Sequence, residues 1–245
     1  MKTPCIFIVC LMASFVCIAA DKQVTISFGD AIPPWVLANG DILVDLVKDC
    51  LEPSGYNVKV VLLPYARRLL NYSNDRVEAV SDVNQKTISK LSLKGYFTGD
   101  IYAYTNYFFS LAKNNFAPTN INDLKGHSIV SWQGAKTHLG GEYEKMADSN
   151  KRYTEIANQE SQVHMMFKNR IDFAQLDMQI FNYHKNIITE KYKTDTQQKV
   201  DIFQFLDKSR NGFLFKTKEM RGACVSNLHT LKNIAKYQHI LVSDF

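Results

Sequence analysis

Histidine and cysteine are scarce and never spaced as metal ligands. The six histidines and five cysteines contain no C-x-x-C and no H-x-x-x-H, so a zinc site is not expected. The chain also lacks G-x-x-x-x-G-K-[ST]. "WQGAKT" (Trp132–Thr137) does not have that spacing, which argues against a nucleotide. No G-x-S-x-G occurs, and the histidines are scattered without a neighbouring nucleophile. There is no dense basic cluster: 29 Lys and Arg stand against 24 Asp and Glu. A mixed-sign surface follows, with no nucleic-acid partner expected.

Beyond residue 20 no stretch is apolar and long enough to cross a bilayer. Before it, Lys2 gives a positive start and Cys5–Ala20 is an uncharged run of sixteen residues. That run is shorter than the roughly 20 residues a spanning helix needs, and it ends in small residues at Cys17, Ala19 and Ala20. Residues 1–20 are therefore read as a signal peptide cleaved after Ala19 or Ala20, with a periplasmic, soluble mature protein. Lipid attachment at Cys17 is the weaker reading, because Ser14-Phe15-Val16 matches the usual box poorly. The remaining 225 residues (245 − 20) suffice for one large domain or two lobes of roughly 100 residues each. Of the cysteines, Cys50 and Cys224 stay. In an oxidising compartment they can pair, but two isolated cysteines fit small buried thiols as well, and the pairing is left open.

The mature chain alternates strand-like and helix-like patterns. "VTISF" (24–28) is a strand, and Gly40-Asp41 opens a helix with Ile42, Leu43, Leu46, Val47, Cys50 and Leu51 at three-to-four spacing. Pro53–Gly55 stops it. "NVKVVLL", "YARRLLNYS" and "VEAV" then read as strand, helix and strand. The second half repeats the plan: "HSIVSW" as strand, a helix from Gln133-Gly134 through Tyr143 and Met146, "YTEI" as strand, a helix over 160–168, and "IDFAQL" as strand. Residues 185–199 are polar and expected to face solvent. Such alternation argues parallel sheets covered by helices. The runs "IYAYTNYFFSLA" and "NGFLF" (211–215) are two extended crossings between halves.

One phrase occurs twice. "DRVEAVSD" (75–82) and "NRIDFAQLD" (169–177) align Arg76, Val77 and Glu78 with Arg170, Ile171 and Asp172 at a constant offset (170 − 76 = 94). Each phrase lies where a helix ends and a buried strand begins. Ligands in open α/β sheets sit beyond the strands' carboxyl ends, which places Asp82–Gln85 and Asp177–Gln179 on two rims.

With these phrases the chain resembles the bacterial extracellular solute-binding proteins of family 3, the type 2 periplasmic binding proteins of amino-acid ABC transporters. "YSNDRVEA" is a loose match to L-x-x-G-x-x-D-A, "FTGDIY" to F-S-x-P-Y, "DLKGHSIVSWQGAKT" to D-L-x-G-K-x-V-x-V-x-x-G-T/S, and "NRIDFAQLD" to G-R-x-D-A-x-x-x-D. The resemblance implies an α/β, two-lobed fold, each lobe a mostly parallel sheet flanked by helices. Residues 21–106 and 213–245 would form lobe 1 and 107–212 lobe 2, joined by two hinge crossings.

It also implies a ligand set. Asp177 matches the acid that holds a ligand's amino group, although an aspartate that opens a helix also serves as its N-cap. Trp35 and Tyr65 stand at aromatic positions of the cleft, with core packing as the alternative. Thr87 and Lys90 occupy the places of a threonine and an arginine. Lysine keeps that charge but loses the planar fork that grips a carboxylate, so Arg67 or Arg68 is a candidate for the missing guanidinium. Asp82 and Trp132 lie at the rims, and the amides around Ala135 and Lys136 open a helix that suits an anionic group. His127, His138 and His164 could each approach the cleft, although a lone histidine is more often a surface or core residue.

The expected function is capture of a small polar or charged, amino-acid-like solute for ABC-type uptake by a monomer without cofactor, its membrane partner a permease or a receptor. The alternatives are a dehydratase- or lyase-like enzyme on the same fold and ligand sensing at a membrane receptor.

Overall fold

The structure is a computed structural model that describes residues 22–30, 32–36 and 41–242. The segment read as a signal peptide and the helix-opening Gly40 lie outside the described residues. Among those described, no helix is long and apolar enough to cross a membrane.

The first half contains β1 (Lys22–Gly29), α1 (Ile42–Leu51), β2 (Tyr56–Leu63), α2 (Tyr65–Ser73), β3 (Ala79–Val83), α3 (Gln85–Lys90), β4 (Tyr96–Phe97) and β5 (Tyr102–Tyr104). The apolar stripe of α1 is buried as its spacing dictates, and Gly55 ends the following turn at φ 79°. The third strand begins at Ala79 rather than Val77. Val77 is nevertheless buried.

β6 (Asn106–Leu111), β7 (Ile129–Trp132), α4 (Ala135–Leu139), α5 (Gly141–Ser149), β8 (Tyr153–Ile156), α6 (Gln159–Phe167), β9 (Phe173–Asp177), α7 (Met178–Tyr192) and β10 (Val200–Phe203) follow. The single helix expected from Gln133 to Met146 is two. Gly140 and Gly141 both take positive φ, 60° and 57°, and a helix cannot continue through that conformation. The polar stretch after Lys185 is less exposed than its composition suggests, because α7 runs on to Tyr192 and buries Ile188, while Thr194 and Thr196 are also buried. β11 (Ser209–Phe215) and α8 (Lys218–Leu231) follow.

Two sheets result. The first has the order β2-β1-β3-β11-β4, with β5 also on β11, and the second the order β10-β6-β9-β7-β8. In each, three strands are parallel (β2-β1-β3 and β9-β7-β8), as the βαβ alternation requires. The strands at the crossings, β11 in the first sheet and β6 in the second, run antiparallel to them. The aromatic run 101–112 breaks at Thr105: β5 pairs with β11, and β6 pairs with β9 and β10. Helix α8 returns to α1, where Cys50 and Cys224 form a disulfide with Cα atoms 4.5 Å apart.

The repeated phrase has a structural cause. Asp75 and Asn169 both have φ 54° and end a helix. In both copies the next amide reaches back five residues, Arg76 to Asn71 and Arg170 to Met165, the bond pattern that terminates helices on a left-handed residue. The acid then ties down a neighbouring strand. Glu78 accepts from the Thr25 amide at 2.7 Å, and Asp172 from the Ser128 amide at 2.8 Å.

Candidate functional site

The carboxyl ends of the two sheets face one another across a partly open cavity of about 80 Å³. On the first-sheet side, β3 delivers Asp82 at φ 52°. Asp82 Oδ2 accepts from Arg68 and from the Ser81 hydroxyl (2.6 Å), and Oδ1 from the hydroxyls of Tyr102 (2.8 Å) and Tyr104. Burial pushes this carboxyl up, but Arg68 and the three hydroxyls outweigh it and hold it below the usual carboxylate value. Burial, together with Asp82, raises both tyrosines well above normal, so they remain donors. Arg68 lies over the Tyr65 ring at 5.1 Å, and its Nε–H is buried with no partner among the described residues.

On the second-sheet side, Asp177 ends β9 and caps α7, accepting from the amides of Gln179 (2.8 Å) and Ile180 (3.3 Å). It also accepts from the Thr105 amide (2.9 Å) and the indole N–H of Trp35 (3.1 Å). Burial raises its carboxyl, and these four N–H donors offset that only in part. Beneath the cavity a polar chain crosses the sheet, from Asn106 through Gln175 to Ser131 and Tyr143.

A clasp holds the two sides together. The Tyr65 ring lies so close to Gly134 that a Cβ there would meet it at 2.2 Å, and it packs on Trp132 at 5.7 Å. His138 of α4 contacts Thr87 of α3 and Ser209 of β11, each at 3.2 Å. Desolvation lowers this imidazole to about 4, so it is neutral at pH 7. Asn84 and Lys86 donate to the carbonyls of His138 and Leu139, and Lys90 pairs with Glu144.

The expected site residues therefore separate. Tyr65, Asp82, Trp132 and Asp177 line the cavity. Trp35 is close by but turned into the core, with its ring edge on Tyr104 at 5.0 Å. Thr87 is fully buried with its hydroxyl on His138, and Lys90 is spent on Glu144 outside the cavity. Arg67 is exposed, whereas its neighbour Arg68 lines the cavity, because residues 65, 68, 69 and 72 share the inward face of α2. That spacing was present in the sequence. Ala135 is buried, and Lys136 pairs through its ammonium with Asp148. The anion seat expected at their helix end is filled from within: Glu155 accepts from the amides of Gly134 (2.8 Å) and Lys136 (2.7 Å) and from the Tyr153 hydroxyl (2.8 Å). Of the three histidines considered, His138 lines the cavity, His127 pairs with Asp172, and His164 stacks on Tyr192. Tyr104, Asn106 and Gln159 also line it. No motif marks them, since chain reversals bring them there. No group of histidine, cysteine and acidic residues able to hold a metal occurs among the described residues.

No protein-family model and no curated protein matches the chain. Solved structures do. A histidine kinase sensor domain with similarity to periplasmic binding proteins superposes with TM-score 0.71 at 16% identity, over 89% of this chain and 93% of the other. This is the type 2 periplasmic-binding fold. An ancestral arginine-binding protein bound to glutamine shares it at TM-score 0.67 and 14% identity, over 89% and 95% of the two chains. The amino acid ABC transporter substrate-binding protein AbpA from Streptococcus pneumoniae, bound to L-arginine, matches at 0.67 and 11%, over 89% and 92%. In this chain the fold's two sheets meet where Arg68, Asp82 and Asp177 converge.

Proposed function

We propose that the protein is an extracytoplasmic solute-binding protein that takes a small polar or charged, amino-acid-like solute into the cleft between two lobes. The observation that carries this reading is the cavity between opposed sheets, lined from one side by Arg68 and Asp82 and from the other by Asp177 and Trp132. Residues 21–106 with 213–245 would move against 107–212 about the crossings at Tyr107–Ser110 and Asn211–Phe215. Ligand would favour closure by binding the closed form more tightly. The Cys50–Cys224 disulfide supports an oxidising compartment, in keeping with the leader read at residues 1–20. The loaded protein would then dock on an ABC permease.

Native mass spectrometry of protein purified without refolding would identify a retained solute by mass. A thermal-shift screen of amino acids, amines and small carboxylates complements it, since a ligand at about 100 times its Kd adds roughly 2.7 kcal/mol. Failure of every solute in both experiments would overturn the reading. The match to a kinase sensor domain favours a second role, in which the loaded protein reports to a membrane receptor. Crosslinking in cells would distinguish the two by whether a permease or a receptor is captured.

A further inference from the structure

Three groups that could have bound a ligand anion are already occupied by carboxylates of the chain itself. Asp82 takes the charge of Arg68, Glu155 takes the amides of Gly134 and Lys136, and Glu144 takes Lys90. Asp177 is the opposite case. It lines the cavity, is buried, and is met by four N–H groups but, among the described residues, by no cation. The carboxylates lining the cavity are Asp30, Asp82 and Asp177, against Arg68 as the one permanent cation among the described lining residues, with His138 neutral. The rings of Tyr65, Tyr104 and Trp132 line it too, and aromatic faces attract cations.

We propose that the solute is a small organic cation without a carboxylate, an amine bearing a neutral oxygen, with its ammonium at Asp177 and its oxygen at the unpartnered Nε–H of Arg68. This rests on the solute-binding reading and narrows it. A zwitterion would add a further carboxylate to a cavity already lined by Asp30, Asp82 and Asp177, where the charge of Arg68 is taken by Asp82. A neutral hydroxyl or carbonyl oxygen satisfies the buried Nε–H of Arg68 without adding a charge that Asp82 has already balanced.

Matched pairs that differ by the carboxylate alone test this: ethanolamine against serine, and agmatine against arginine, by titration calorimetry on the wild-type protein at pH 7. Ethanolamine is expected to bind at least tenfold more tightly than serine, and agmatine more tightly than arginine. Glu155→Ala, which frees the Gly134 and Lys136 amides for a ligand carboxylate, should narrow the ethanolamine-to-serine ratio. A purely structural role for Glu155 would weaken both ligands alike and leave the ratio unchanged, which would overturn its part in selectivity. Serine binding as well as ethanolamine, or a tightest ligand from the broader screen that carries a carboxylate, overturns the proposal and leaves the solute-binding reading intact. The absence of any ligand overturns both.

Discussion

The indole N–H of Trp35 meets the carboxylate of Asp177 at 3.1 Å, joining residues 142 apart in sequence. The contact links the segment after β1 to the start of α7, so it spans the two sheets. Trp35→Phe keeps most of the ring's packing and removes the donor. Hydrogen bonds to charged groups contribute about 1.5–3 kcal/mol, and urea unfolding should show a loss of that order. An unchanged midpoint would mean that the bond contributes nothing net.

Asp177 itself is expected to matter for binding. Asp177→Asn should weaken an amine-bearing solute by a few kcal/mol, the usual consequence of breaking a buried charge pair. Calorimetry on whichever amine binds the wild type measures it, and equal affinity would remove Asp177 from the site.

Arg68 and Asp82 form a buried ion pair, with side chains 3% and 9% exposed. Arg68→Met strands a buried carboxylate and should cost about 3–5 kcal/mol. Arg68→Met combined with Asp82→Asn should recover part of that loss. Unfolding of the two single variants and the double variant closes a mutant cycle, and strictly additive losses would show that the pair is not coupled.

Acid should destabilise the fold through His138 before it reaches the carboxylates. The imidazole, buried near Asp82, Arg68 and Lys86, titrates at about 4 in the folded state, against 6.5 as the ordinary value. Between those values the unfolded chain binds a proton that the folded chain does not. Stability is therefore full above about pH 6.5 and falls as pH drops towards 4, by roughly a few kcal/mol in all. His138→Gln should flatten the stability profile in that window. Asp82, whose folded value is lowered, contributes stability that persists through this range and is lost only at still lower pH. A wild-type profile that is level from pH 6.5 to 4 would contradict the role given to His138.

The disulfide closes a loop with a sequence separation of 174. Removing it as Cys50→Ala with Cys224→Ala should lower stability by about 2–5 kcal/mol. Thermal unfolding of the wild type with and without reductant gives an independent check, and insensitivity to reductant would argue against the bridge.

Much of the fold was legible because local rules decide it. The apolar spacing of Ile42–Leu51 is that of a helix wherever it packs, and the β-rich runs are strands in either sheet. The repeated phrase was visible too, but its meaning was not. Glu78 and Asp172 act on the amides of Thr25, in β1, and Ser128, just before β7, which sequence order does not place beside them. The break at Gly140-Gly141 is marked only by two adjacent glycines, whose positive φ interrupts an apolar spacing that otherwise reads as one helix. The choice between Arg67 and Arg68 lay in helical spacing, since only Arg68 shares a face with Tyr65, Leu69 and Tyr72.

The sequence by itself determined the alternation of strands and helices, the two rims at Asp82 and Asp177, and the presence of one spare pair of cysteines. These depend on residue periodicity and on backbone preferences that act within a few positions of the chain. The tertiary structure alone decided that Glu155 fills the amides of Gly134, that Asp82 takes Arg68, and that Trp35 lies under Asp177 rather than in the cavity. Each of those outcomes is a competition between groups distant in sequence for the same donor or acceptor, and the competition is settled by which of them the packed sheets bring within hydrogen-bond reach.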